Sequence, residues 1–172
     1  MNVIAATSFQ GNPAGWPAEL LPLFEQAITV EYASLTRAGA AITYPVTPYA
    51  GKDGRTIDVS TGLTYPAKAE RARRNPYVCL LFDDASDAGL PDAPVVLVQG
   101  LASVQDADLQ ANTDRYVRVQ LERFEQLAKQ PKWLLRWLQA WYFPRLWMLI
   151  TPLHIVWWAR SQLGATPCEW HA

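Results

Sequence analysis

Five side chains between positions 60 and 71 have the chemistry to hold an anion: the hydroxyls of Ser60, Thr61 and Thr64, the ammonium of Lys68 and the guanidinium of Arg71. They lie in the segment RTIDVSTGLTYPAKAERARRNP, residues 55–76. Ile57 and Val59 alternate there with Thr56, Asp58 and Ser60, the period of a half-buried strand. Thr64 is placed to cap a helix with Pro66 just inside its start, where a missing N–H costs nothing. Helix side chains lean toward the N-terminus, so Lys68 is expected to project back over the unpaired N–H groups of the first turn, beside the three hydroxyls. Arg71, three positions on, shares that face and adds a bidentate donor. A positive dipole end, an ammonium and hydroxyls converging on one point describe a pocket for a phosphate. The competing assignments are an exposed helix lysine for Lys68 and turn-closing hydroxyls for Ser60 and Thr61.

Other reactive residue types are sparse. The two histidines, His154 and His171, have no Cys, Asp or Glu at metal-ligand spacing, so no metal site is expected. His154 alternates with Leu153 and Ile155 on a strand and reads as a hydrogen-bonded structural residue, and His171 as a mobile residue at the chain end. Cys79 and Cys168 lie far apart, with Cys79 in an apolar run, and read as reduced thiols of a cytoplasmic protein. No catalytic triad stands out, and no catalytic residue is assigned.

A chain of 172 residues fits one domain, 1–172, large enough to bury a core without disulfides. The net charge of −1 argues against general nucleic-acid binding, because positive charge is local to Lys68, Arg71, Arg73 and Arg74 on a single helix. No basic segment followed by an apolar one opens the chain, so secretion is not expected. The Trp-rich region 133–158 approaches the length of a membrane span, but Arg136, Pro144, Arg145, Pro152 and His154 interrupt it, so membrane association is not expected. An interfacial helix at 133–147 is the alternative.

These residues must be positioned by the elements around them. Residues 1–15 have no periodic pattern and predict a loose N-terminal arm. Leu20, Leu21, Phe24, Ala27 and Ile28 keep helical spacing, which predicts a helix from 17 to about 30. Strands are predicted over 33–36, 40–49 and 55–61, the last entered through the hairpin signal GKDG at 51–54. The helix 66–74 ends at Asn75, suited to a left-handed cap, and Pro76. Strands follow at 77–82 and 95–104, with Gly100 marking a bulge. A helical insertion, 106–143, opens with Asp106 as cap and includes an aromatic helix at 133–142, and two strands broken at Pro152 close the chain. Trp133, Trp137 and Trp141 repeat on one helix face and read as core or dimer interface, or else as the wall of an apolar cavity. The absence of βαβ alternation points away from a doubly wound sheet and toward an α+β fold built on an antiparallel barrel.

The order helix, ASLTRAG, AAITYPVTPYAGKDGRTIDVSTG, a helix with one lysine, RRNPYVCLLF and VVLVQGLASV resembles the pyridoxamine 5′-phosphate oxidase-like, FMN-binding split-barrel superfamily over residues 17–104. A weaker echo lies in LWMLITPLHIVWWA. In that family a strand ends in a Ser/Thr-rich turn, the lysine of the next helix binds the cofactor phosphate, and Asn-Pro opens the following strand. Ser60, Thr61, Lys68, Asn75 and Pro76 match. The resemblance implies a six-stranded antiparallel split β-barrel with peripheral helices, a homodimer, and FMN in a groove at the subunit interface. Its ring would lie along Tyr44, Pro45, Val46 and Thr47. The deazaflavin F420 is the alternative cofactor, and a non-catalytic ligand or haem carrier the alternative function. Pro94 and Val95 stand where the oxidase proper has an Arg-Gln pair, and its arginine-containing tail is not evident. Both departures point away from pyridoxine phosphate, and the aromatic residues of the helical insertion, as a wall beside the flavin, suggest a redox step on an apolar or aromatic small molecule.

Overall fold

The computed structural model describes residues 12–123 and 144–172. The expected aromatic helix at 133–142 and most of the expected N-terminal arm lie outside the described residues. Eight strands form one sheet: β1 (Val30–Leu35), β2 (Ala41–Val46), β3 (Pro48–Ala50), β4 (Ile57–Gly62), β5 (Tyr77–Phe82), β6 (Val95–Gln105), β7 (Arg145–Trp158) and β8 (Cys168–His171). Among the described residues three α-helices accompany it: α1 (Leu21–Gln26), α2 (Ala67–Arg74) and α3 (Leu109–Arg123).

The strand order is β2-β1-β5-β6-β7-β4-β3, every pairing is antiparallel, and β8 adds to β7 beyond the stretch that β4 occupies. β2 and β3 stand at opposite ends of this order, yet only Thr47 separates them in the chain. The sheet must therefore curl until its ends meet, which leaves an antiparallel barrel with a seam between β2 and β3 that no ladder closes among the described residues. This is a split barrel of the expected α+β class, with eight strands where six were expected. The two additions are short: β3 is three residues long and β8 four.

The interior is apolar and continuous, with Val30, Tyr32, Ile57, Val59, Leu80, Val98, Met148, Ile150 and Ile155 all essentially inaccessible. Helix α1 adds Leu23 and Phe24 to this core, with Leu20 just before it, and its Phe24 meets Trp16 edge-on at 5.6 Å. It is shorter than predicted, because the backbone at Ala27 is already extended (φ −52°, ψ 128°) and Val30 must begin β1.

Two expectations at prolines change. β7 is not broken at Pro152 but runs 14 residues, because Gly100 pairs with Pro152 and Gln99 with His154, leaving Leu153 as an unpaired bulge residue. Gly100 is required there: a Cβ would lie 2.5 Å from the Thr151 carbonyl oxygen. Asn75 is extended (φ −139°) rather than left-handed, as the residue before a proline prefers, and its Oδ1 accepts from the Tyr77 N–H at 3.1 Å. Asp108, not Asp106, caps α3, accepting from the Ala111 N–H at 2.8 Å, while Asp106 pairs with Arg73 at 2.6 Å.

Candidate functional site

Antiparallel register sets Tyr32 opposite Tyr44, so both share a face of the sheet with Ser34, two residues on. Helix α2 packs against β1, β6 and β7 and brings its first two turns over that corner. Lys68 Nζ lies 5.1 Å from the Tyr44 ring centroid, and the Arg71 guanidinium carbon lies 5.3 Å from the same centroid. Tyr44, Lys68 and Arg71 are thus brought together from segments more than twenty residues apart.

Arg71 is the unusual member. It is 7% exposed, its Nε donates to Ser34 Oγ at 2.9 Å, and its buried Nη2 has no hydrogen-bond partner. A buried guanidinium donor without an acceptor costs more than an unmade bond in water. Burial holds the Lys68 ammonium below its usual range, and the positive charges of Arg71 and Arg145 push it the same way. Among the described residues, neither Lys68 nor Arg71 forms an ion pair. In the same corner the Tyr32 phenol is pushed up to about 12 by burial, with Ser34 and Arg71 pulling it back.

Arg145 reaches this region from β7. It lies opposite Gly62, and a Cβ on that glycine would come within 2.7 Å of Arg145 Nη1, so the absence of a side chain lets the guanidinium lie across the end of β4. The Arg145 guanidinium also stacks over the Tyr116 ring at 4.2 Å and donates to the Tyr116 hydroxyl at 3.1 Å. Sequence reading treated Arg145 only as an interruption of an apolar run. Its pairing with Gly62 across the sheet is the signal that a linear reading lacks.

The three expected hydroxyls do not converge. Thr61 is buried, and its hydroxyl donates to the Tyr65 carbonyl oxygen at 2.8 Å, closing the turn between β4 and α2. Ser60 falls on the other face of β4, half-buried, with Asp58 and Gly62. Thr64 does not cap α2, whose N-cap is Pro66 without a side-chain bond. On β2, Pro45 is exposed, Val46 packs partly against the core, and Thr47 is the half-buried link to β3. A proline is tolerated here because β2 is an edge strand.

A separate concavity of about 270 Å³ opens beside α3, lined in part by Thr56, Asp58, Asn112, Arg115 and Trp147. Its wall is a buried ion pair, Arg115 Nη2 to Asp58 Oδ2 at 2.6 Å, with the guanidinium 3.9 Å above the Trp147 ring. Burial raises the Asp58 carboxyl, and Arg115 pulls it back down. None of the residues predicted for the phosphate pocket lines this cavity.

No family sequence model matches the chain, and no curated protein matches it in sequence. Solved structures do. A conserved hypothetical protein of Mycobacterium tuberculosis superposes with a TM-score of 0.61 at 19% identity, over 87% of this chain and 88% of that one. A pyridoxamine 5′-phosphate oxidase-type protein of Listeria innocua gives 0.52 at 22% identity, over 80% and 93%. A protein described as an F420 reductase gives 0.54 at 17%, over 77% and 92%. At these identities the likeness is one of fold: the chain shares the split-barrel architecture of these structures.

Proposed function

We propose that the chain binds FMN at the corner formed by Lys68, Arg71 and Arg145 and serves a redox step on an apolar or aromatic small molecule. The observation that carries this reading is the buried Arg71 Nη2 without an acceptor, beside an ammonium that has no carboxylate partner among the described residues. A phosphate monoester supplies both missing elements, charge and acceptor oxygens. When bound, the flavin supplies the hydride chemistry; the chain supplies position and charge. Lys68 and Arg71 would neutralise the phosphate, and Ser34 holds the Arg71 fork in place through its Nε. Ser60 would add a hydroxyl from the face of β4 over which Arg145 lies, and Thr61 shapes the turn through Tyr65. The exposed edge of β2, from Tyr44 to Thr47, offers unpaired backbone groups to the ring.

That free edge also supports a homodimer, because Tyr44 at 37% exposed and the exposed Pro45 leave an apolar margin that a second copy would cover. F420 is the second reading, favoured by the likeness to an F420 reductase and by the exposed Arg74 on α2, which could meet an acidic tail. Both cofactors present a phosphate and a flat tricyclic ring, so the anion site admits either. Titrating FMN and F420 separately into the apoprotein, with visible absorbance as readout, decides between them. Saturable binding of one supports the reading. Binding of neither, with retention of haem instead, replaces it by a ligand carrier.

A further inference from the structure

Away from the cationic corner, strand register assembles a cluster that residue spacing conceals. Across β6, β7 and β8, Gln99 lies opposite His154 and His154 lies opposite His171. Glu169, two residues before His171, takes the same face of β8. His154 Nδ1 lies 3.1 Å from Gln99 Oε1, and its Nε2 lies 3.3 Å from Glu169 Oε2. His171 Nε2 approaches the same carboxylate oxygen at 3.4 Å. One ligand atom from each residue lies within 4.8 Å of the other two.

Without an ion, an imidazole N–H can donate to the carboxylate across these distances; a metal would take the place of those protons on the same three ligand atoms. We propose that His154, Glu169 and His171 bind a divalent transition-metal ion of the zinc class. Two imidazoles and one carboxylate suit such an ion, whereas calcium and magnesium favour all-oxygen shells. Gln99 Oε1, 3.1 Å from His154 Nδ1, would take the part of the outer hydrogen-bond acceptor of a metal-bound histidine and hold its ring orientation. The two rings stack with centroids 4.2 Å apart and 9° from parallel, and each brings its Nε2 within 3.4 Å of the same Glu169 oxygen. His171 is exposed, and turning its ring brings both onto one ion. The ion would tie β8 to β7, leaving its remaining coordination to solvent. The expectation of no metal site rested on spacing along the chain, and β7–β8 pairing supplies what that spacing lacks.

Zinc is titrated into the full chain carrying Cys168→Ser, so that the exposed thiol next to Glu169 cannot hold the ion itself. Competition with a chromogenic chelator gives the affinity, and a thermal melt gives the stabilisation. The proposal expects one ion per chain, a raised melting temperature, and affinity weakened roughly tenfold or more by His171→Ala or Glu169→Gln. Both residues are exposed, and circular dichroism verifies that the variants fold. Absence of stoichiometric binding in Cys168→Ser, or affinity unchanged by both further substitutions, overturns it. Neither outcome depends on flavin binding.

Discussion

Lys68→Met removes an ammonium while keeping most of the apolar stem, and the two quantities it should change move in opposite directions. In the unliganded protein the Lys68 pKa is lowered from 10.5, first by burial and then by Arg71 and Arg145. Between that lowered value and 10.5 the unfolded chain binds more protons than the folded one, so wild-type stability rises with pH through this window. At neutral pH the charge therefore opposes folding, and the variant should melt at or slightly above the wild-type temperature. The gain is small, because the side chain is only half-buried and solvent screens it. Phosphate binding should respond the other way. A hydrogen bond to a charged group contributes about 1.5–3 kcal/mol, or roughly a 10- to 150-fold change in Kd. Wild-type affinity should also fall as pH climbs through the lowered Lys68 pKa, since the anion prefers the protonated form, and Lys68→Met should lack that decline. Flavin-fluorescence titration and thermal melts at several pH values test this together. An unchanged Kd, or a variant that loses stability along with ligand, refutes the assignment.

Further substitutions probe the surrounding geometry. Gly62→Ala places a methyl group within 2.7 Å of Arg145 Nη1; the guanidinium should swing away, weakening cofactor binding with little change in melting temperature. Gly100→Ala instead meets backbone, the Thr151 carbonyl oxygen at 2.5 Å, and should cost roughly 1–3 kcal/mol, a fall of ~2–12 °C in Tm, without altering ligand affinity per folded molecule. Arg115→Met strands the 1%-exposed Asp58 carboxylate and should destabilise by about 3–5 kcal/mol in urea titrations at neutral pH. That loss should shrink as pH falls, because an unpaired buried carboxyl takes up a proton on folding, and adding Asp58→Asn should recover much of it.

Signals that act within a few residues were legible. The alternation at 57–61, the proline opening and closing around α2, and the glycine in β6 predict β4, α2 and the bulge at Gly100, because strand period, proline geometry and glycine contacts are local properties. The proximity of Lys68 and Arg71 follows from helical spacing alone. Other features failed on local evidence. Pro152 looks like a break until the bulge opposite Gln99 and Gly100 absorbs it, and four terminal residues carry too little pattern to announce β8.

The sequence by itself determined the fold class and the candidate phosphate corner's central residues, since hydrophobic period and turn chemistry survive any choice of strand partner. Only the tertiary structure decided which residues face one another across the sheet. It buried Arg71 against Ser34, set Arg145 over Gly62, joined Asp58 to Arg115 at 57 residues' separation, and placed His171 opposite His154. The physical reason is that barrel closure selects partners by register between segments distant in the chain, and a one-residue slip would turn the strand residues Ser34, Asp58, Arg145 and His171 to the opposite face, away from their partners.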